Sequence, residues 1–180
     1  ESDETLIEHF FENSTLTDEE LISKLKATTA GGRVFPLVCT SATLNIGIPQ
    51  MLDAIVNTVP SPAERPFAYT ASDGTLASRP ADEKAPVTAF VWKTIADPFA
   101  GRITMFRVVS GTIKSDSTVH NRTRDTAERV GSVQLLQGKT PTTVPEVKAE
   151  DLAAVAKLKD TLTNDTLGDK AESLVFPAIK

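Results

Sequence analysis

The second half of the chain is a series of short strand-like runs separated by turn residues, and this pattern constrains the fold more than any other feature. The runs cover residues 87–95, 103–109, 117–121, 128–136, 142–147 and 152–156. They are rich in β-branched and aromatic residues and show no helical period. Six or more short strands at this spacing predict a small antiparallel β-barrel, so the predicted fold class is mainly β.

Residues 1–62 have a different pattern. Apolar residues recur at helical spacing in residues 4–12 and again after Thr17, which predicts two short acidic helices with Thr17 as the N-cap of the second. Residues 34–39 form an apolar run typical of a strand that is buried on both faces of a parallel sheet. Ile48 and the proline after it open a third predicted helix. This order predicts an α/β fragment ahead of the barrel.

A segment of low periodicity separates these two parts. Prolines cluster in residues 60–66, and residues 68–84 are small and polar, with a glycine and a proline that interrupt any regular pattern. We therefore expect a linker or a long surface loop over residues 63–85, and the barrel over residues 86–172.

Composition excludes several classes of protein. The single Cys39 rules out an intramolecular disulfide framework, and its apolar neighbours predict a buried thiol in a cytoplasmic protein. No run approaches the roughly 18 to 20 apolar residues that span a bilayer, and the acidic start lacks the features of a signal peptide, so no membrane association is expected.

The charge is unevenly distributed along the chain. The net charge of the 180 residues is −5, which excludes a protein that coats nucleic acid along its whole surface. Residues 1–30 hold eight acids and two bases, whereas residues 85–140 hold eight bases and four acids. Any contact with nucleic acid is therefore expected in the middle of the chain.

Residues 92–111, with the sequence WKTIADPFAGRITMFRVVSG, closely resemble the second, barrel domain of bacterial elongation factor G and its paralogues among the translational GTPases. The order downstream agrees: Glu128 and Arg129 open a strand, residues 150–154 stand where the family has Ala-Gly-Asp, and residues 163–167 stand where it has a Thr-Gly-Asp-Thr-Leu turn. The resemblance covers about residues 85–170. It implies a β-barrel of the translation-factor domain II type.

The first third is similar to the end of a P-loop GTPase domain in the same family. Thr40-Ser41-Ala42-Thr43 follows a predicted buried strand and resembles the final guanine-binding loop, in which backbone amides contact the base, so Ser41 and Ala42 are the residues implied for that contact. The resemblance implies a piece of a longer chain, with the end of the G domain in residues 1–62 and the start of a connection to a third domain in residues 173–180.

Other sequence motifs of a GTPase are absent from these 180 residues. Neither a GxxxxGK[ST] loop nor an Asn-Lys-x-Asp motif occurs. We therefore expect no catalysis and no cofactor in this chain, while the resemblance implies GTP or GDP with Mg²⁺ in the full-length protein. Residues 43–47 and 135–139 depart from the family pattern, which points to an elongation-factor-G-like paralogue.

The barrel domain of this family docks on small-subunit ribosomal RNA, and the resemblance implies the same partner here, together with intramolecular contacts to the G domain and a third domain. Guanidinium groups suit phosphate geometry, and Arg122 and Arg124, which flank Thr123 in a turn-like stretch, are the first candidates for RNA binding. The other candidates are Lys114, Lys139 and Arg102. Arg107 and Arg129 belong to the same basic set. For Arg102, Arg107 and Arg129 an equal alternative is pairing with neighbouring acids or packing on the preceding domain.

Two other functions stay open on the sequence alone. The first is a stand-alone barrel that serves as a protein-interaction module, and the second is an enzyme with an unrecognised site. His9 and His120 have no neighbours that suggest a metal site. Trp92 is expected to lie in the core or to pack between strands, in preference to serving as a base-stacking platform. The Glu150-Asp151 pair is expected to set a turn.

Overall fold

The computed structural model describes residues 4–71, 74–138 and 140–179. The chain divides into two compact units, residues 1–61 and residues 62–180. No helix among the described residues is long and apolar enough to cross a bilayer.

The first unit contains the three predicted helices, α1 (Glu4–Asn13), α2 (Asp18–Ala30) and α3 (Ile48–Thr58). The predicted N-cap is confirmed, because the Thr17 hydroxyl accepts from the Glu20 amide at 3.3 Å and the Glu20 carboxylate accepts from the Thr17 amide at 2.9 Å. This reciprocal capping box satisfies two amides at the start of α2.

The strand predicted for residues 34–39 does not form, and this part of the α/β prediction is wrong. Residues 34–39 are exposed and irregular, and Cys39 is exposed instead of buried. A strand needs a neighbour to pair its backbone groups, and the described residues of the first unit provide no other strand. A single bridge between Ser41 and Ile46 is the β-type pairing found there among the described residues.

The segment predicted as a linker forms a hairpin instead. Strands β1 (Phe67–Thr70) and β2 (Leu76–Arg79) pair antiparallel, with Phe67 opposite Arg79. Phe67 and Tyr69 pack edge-on against Phe176, with ring centroids 4.7 and 5.9 Å apart. These aromatic contacts fix the hairpin to the C-terminal segment of the second unit, which the polar composition of residues 68–84 did not reveal.

The mainly β fold class is confirmed by a large antiparallel sheet in the second unit. Its strands, together with the small β5–β10 sheet, are β3 (Thr88–Asp97), β4 (Gly101–Ser110), β5 (Thr112–Lys114), β6 (Thr118–Asn121), β7 (Thr126–Arg129), β8 (Val133–Gln137), β9 (Thr140–Val144), β10 (Glu146–Lys148), β11 (Leu152–Ala156) and β12 (Thr166–Gly168). The order in the large sheet is β7-β6-β12-β3-β4-β11-β8-β9.

The predicted strand at residues 152–156 is reproduced, while two longer runs each divide into two strands. The run at 128–136 becomes β7 and β8, and the run at 142–147 becomes β9 and β10, separated at Pro145. The short strands β5 and β12 were not predicted from the sequence.

One core cluster fills the interior of the barrel. It draws buried apolar residues from both sheets, including Val91, Phe106, Ile113, Val155 and Leu167. A second cluster joins Phe90 and Val109 to Leu174 and Phe176 of the C-terminal segment. The part of residues 173–180 that the structure describes therefore packs within the second unit through these two side chains.

Candidate nucleic-acid interface

The connection from β11 to β12, residues 157–165, is a surface loop that buried carboxylates hold in place. The Glu128 side chain on β7 is 2% exposed and accepts four hydrogen bonds from this loop. The donors are the amides of Lys159, Asp160 and Thr161 and the Thr161 hydroxyl, at 2.8 to 3.0 Å. The loop backbone is thereby fixed to the neighbouring strand.

Burial and hydrogen bonding act in opposite directions on the pKa of Glu128. Burial is the largest single influence and raises the pKa, but the four hydrogen bonds together outweigh it and lower the pKa from its ordinary value of 4.5. Glu128 is therefore an ionised, fully bonded group at neutral pH.

A second buried carboxylate, that of Asp165, continues this network. Its Oδ2 accepts from the Asn121 amide group at 2.9 Å and from the Leu162 backbone amide at 2.8 Å. Asn121 also donates to the Thr161 hydroxyl at 3.1 Å, which links Asp165 to Glu128. Asn164, with φ 75°, takes the left-handed position where the family turn has glycine, which asparagine tolerates better than most residues.

Two of the predicted RNA-binding residues meet at this loop. Arg124 Nε donates to Asp165 Oδ2 at 2.7 Å, and its side chain is 39% exposed. Arg102, which is exposed on β4, donates from Nη1 to the carbonyl oxygens of Lys159 and Thr161, both at 3.3 Å. The loop therefore gathers cations from β4 and from the β6–β7 turn.

Lys157 and Lys159 add two exposed cations that sequence reasoning missed. The Lys157 amide donates to the Arg102 carbonyl at 2.8 Å, so the loop lies directly beside β4. The two lysines stand on either side of an apolar residue in the Lys-Leu-Lys stretch after β11, and this alternation was the signal that the sequence offered. The structure buries Leu158 and exposes both lysines. We call Arg102, Arg124, Lys157 and Lys159 the basic loop surface.

Arg122, a first candidate for RNA binding, lies elsewhere and is occupied by structural contacts. Its guanidinium donates to the backbone carbonyls of Asp169, Leu174 and Val87 at 2.9 to 3.2 Å and to the Thr88 hydroxyl at 3.4 Å. Burial is the main reason that its pKa is lowered, although it stays charged. Four of its five N–H groups are therefore used in joining β3 to the C-terminal segment.

The second unit is similar to parts of known proteins. Residues 86–170 match the family model of elongation factor G domain 2. A crystal structure of the protein ttk003000868 from Thermus thermophilus is also similar, with a TM-score of 0.73, 23% sequence identity and coverage of 99% of this chain and 25% of that chain. At this identity the similarity shows the fold. The chain spans about a quarter of the length of that protein.

The elongation factor G domain 2 match supports a translation-elongation-factor-like fragment, as the sequence resemblance implied. Assignment to bacterial elongation factor G itself stays a prediction. The matched residues include the whole basic loop surface, because Arg102, Arg124 and residues 157–165 all lie within 86–170.

The remaining predicted RNA-binding residues of the barrel are not on this loop. Lys114 is exposed at the end of β5, where its register partner on β10 is Glu146. Lys139 lies outside the described residues. Arg107 takes the structural alternative, since it pairs with Glu150 and lies over the Phe67 ring at 5.5 Å.

The residues carried over for guanine binding lie in a tight turn of the first unit. The Ser41 amide donates to the Ile46 carbonyl at 2.9 Å, and the Ser41 hydroxyl accepts from the Leu44 amide at 3.4 Å. Ala42 is exposed. The Ser41 amide is therefore already bonded within the chain, and a role for Ser41 and Ala42 in contacting guanine stays a prediction.

Trp92 does not lie in the core of the barrel, because 38% of it is exposed. With Met105, Leu136 and Leu152 it lines an apolar surface groove of about 290 Å³. Glu150 and Asp151 do form the expected turn, in which Asp151 Oδ2 accepts from the Lys148 amide at 2.8 Å.

The histidines contact single carboxylates. His9 Nδ1 lies 3.1 Å from Glu20 Oε1, and His120 Nε2 lies 2.9 Å from Asp125 Oδ1. Within residues 4–71, 74–138 and 140–179, no three side chains of the metal-binding types cluster together.

Proposed function

We propose that this chain is part of an elongation-factor-G-like translational GTPase and that its barrel docks on small-subunit ribosomal RNA through the basic loop surface. The observation that carries the proposal is that four cations meet at one loop that a buried network holds in place: Lys157 and Lys159 belong to the loop, and Arg102 and Arg124 are bonded to it. The family match to elongation factor G domain 2 supplies the ribosome as the expected partner.

The chemistry of the basic loop surface suits a phosphate backbone. Two guanidinium groups provide forked donors, and two ammonium groups provide point charges. Glu128 is buried and bonded to the loop backbone, and buried Asp165 accepts from Arg124 through Nε. The loop also carries the exposed Asp160, so four cations face one exposed carboxylate there. A rigid loop also loses little conformational entropy when it binds.

GTP or GDP with Mg²⁺ belongs to the proposal only through the longer protein. The residues of this chain do not fit a complete nucleotide site, because the sequence has no phosphate-binding loop and the Ser41 amide is bonded to Ile46. We assign no hydrolysis step to these residues. In the longer, cytoplasmic protein, the barrel would contact the G domain and a third domain and so couple nucleotide state to docking.

Co-sedimentation with small ribosomal subunits over a series of salt concentrations tests the docking proposal. Four phosphate contacts predict that the logarithm of the binding constant falls with the logarithm of salt with a slope of about −3. The variant Arg102→Gln/Lys157→Gln/Lys159→Gln should bind more weakly and should have a slope near −1, since about one unit is lost with each contact.

Arg129→Gln is the matched control, because Arg129 is exposed on the same barrel and its strand position points away from the side on which Glu128 is buried. It should retain the wild-type slope. Binding that does not depend on salt, or a triple variant that binds like the wild type, would contradict RNA docking and favour the protein-interaction module.

A further inference from the structure

The tip of the β3–β4 hairpin carries an aromatic side chain that points into solvent. Phe99 is 95% exposed, which is more than any other large apolar side chain described for this protein. It lies in the three-residue connection between Asp97 and Gly101, which are register partners at the ends of β3 and β4. A phenyl ring exposed to this degree is available to a partner that offers an apolar surface or a π face.

The hairpin tip that carries Phe99 is held in one conformation. Asp97 Oδ1 accepts from the Phe99 amide at 2.9 Å and from the Ala100 amide at 2.7 Å. The hydrogen bond from Ala100, followed by that from Phe99, lowers the pKa of Asp97. Gly101 closes the turn at φ 78°, a conformation that most other residues avoid. The ring is therefore presented on a fixed support.

Two cationic side chains lie beside this tip, in addition to the Asp97 carboxylate. Arg102 follows directly on β4, and its carbonyl accepts from the Lys157 amide. Lys157 Cγ lies 4.0 Å from the position that a Cβ atom at residue 101 would take, so the Lys157 stem runs along the hairpin. An exposed ring with two flanking cations has the composition of a single-stranded nucleic-acid contact.

We propose that Phe99 stacks on an unpaired base of the RNA while Arg102 and Lys157 contact the adjoining phosphates. This inference rests on the proposed RNA docking and deepens it, because it specifies an unpaired nucleotide next to the basic loop surface. Every base offers a π face, so the contact selects a single-stranded feature more than a sequence.

The charged surroundings favour a base over a protein pocket as the partner of Phe99. A phenyl ring that enters a protein usually has apolar neighbours at the centre of the contact and polar groups at the rim. Here the neighbouring side chains are Pro98, Ala100, the two cations and Asp97, whose Oδ1 is already bonded to two amides of the turn. A base with its phosphates matches both the ring and the charges.

The test compares binding of the full chain and its Phe99 variants to small ribosomal subunits at fixed low salt. Phe99→Ala should weaken binding about 5- to 150-fold, the range measured for loss of one stacked base. Phe99→Trp should bind at least as well as the wild type, and Phe99→Leu should bind as weakly as Phe99→Ala because it lacks a π face. Phe35→Ala is the matched control, since Phe35 is 83% exposed in the first unit, and it should bind like the wild type.

A spectroscopic readout separates stacking from apolar burial. In a Trp92→Phe/Phe99→Trp variant the only tryptophan is at the hairpin tip, and stacking on a base should quench its emission when subunits are added. Salt slopes should be unchanged in Phe99→Ala, because no charge is removed.

Each alternative result has a distinct meaning. If Phe99→Ala binds like the wild type while the triple cation variant is weakened, the stacking inference is overturned and RNA docking stands. If Phe99→Leu keeps wild-type affinity while Phe99→Ala loses it, Phe99 enters an apolar protein pocket, which also overturns stacking. If the wild-type chain does not bind at low salt, both proposals fail.

Discussion

Replacing Glu128 by glutamine tests whether the buried carboxylate holds the 157–165 loop. Glu128 Oε1 accepts three hydrogen bonds and Oε2 accepts one, from the Lys159 amide at 3.0 Å. The glutamine carbonyl can keep the three bonds at one oxygen, but its NH₂ group cannot accept from Lys159. The variant loses one hydrogen bond to a charged group, and its NH₂ group then faces the Lys159 amide, so that two donors meet. We expect this to lower the free energy of unfolding by about 1.5 to 3 kcal/mol.

The loss should appear directly in the melting temperature. For a domain of this size, 1 kcal/mol corresponds to about 4 °C, so Glu128→Gln should lower Tm by about 6 to 12 °C. Trp92 is the only tryptophan in the chain and lies in the barrel, so its fluorescence follows unfolding of the second unit. Asp116→Asn, an acid-to-amide change at an exposed position with φ 58°, is the control and should shift Tm by less than about 2 °C.

The Tm difference between wild type and Glu128→Gln should also depend on pH, in a direction that follows from the lowered pKa of Glu128. The folded pKa of Glu128 is lower than its unfolded value near 4.5, so its stabilisation is fully present above that value and disappears as the pH falls through the folded pKa. The Tm difference between wild type and Glu128→Gln should therefore shrink below pH 4.5. A variant as stable as the wild type at pH 7, or a difference that grows in acid, would refute the role given to this carboxylate.

Three further changes test the fold. Gly111→Ala should lower Tm by about 8 to 20 °C, because φ at this residue is 77° and an added Cβ atom would lie 2.7 Å from Val87 Cα. A thermal melt that is unchanged by the substitution would disprove this close approach. Phe176→Ala should destabilise the second unit by about 3 to 5 kcal/mol in urea titration and make the β1–β2 hairpin sensitive to protease, whereas a hairpin that stays resistant would show that it does not depend on this ring. Thr17→Ala should weaken α2 by about 1 kcal/mol, seen as lower helicity by circular dichroism on heating, and Thr15→Ala, which leaves the cap intact, should not.

The barrel could be predicted because its strands carry their own signal. Short β-branched runs bounded by turn residues locate β3, β4, β6 and β11 directly. The three-residue strands β5 and β12 are too short to show alternation, and their pairing depends on residues far away in the sequence. For residues 34–39 the sequence predicted a strand that does not form. Their apolar composition is typical of a buried strand, but a strand also needs neighbouring strands to pair with, and composition does not show whether these are present.

The site was predictable in composition but not in detail. Arginine was expected on the barrel surface, and Arg102 and Arg124 do meet at one loop. The sequence does not reveal that Arg122 donates four hydrogen bonds within the barrel. Three of the acceptors are backbone carbonyls, at residues 87, 169 and 174, and the fourth is the hydroxyl at residue 88, and all four are distant from Arg122 in the sequence. An Arg122→Ala/Arg124→Ala variant would therefore perturb folding as well as docking, which is why the binding test uses Arg102, Lys157 and Lys159.

Footprinting of ribosomal RNA in small subunits tests docking through the basic loop surface most directly. The wild-type chain and Arg129→Gln should protect the same short set of nucleotides from hydroxyl-radical cleavage. The Arg102→Gln/Lys157→Gln/Lys159→Gln variant, with its barrel shown by Trp92 fluorescence to be folded, should lose that protection. No protection by the wild-type chain, or equal protection by the triple variant, would contradict docking through this surface.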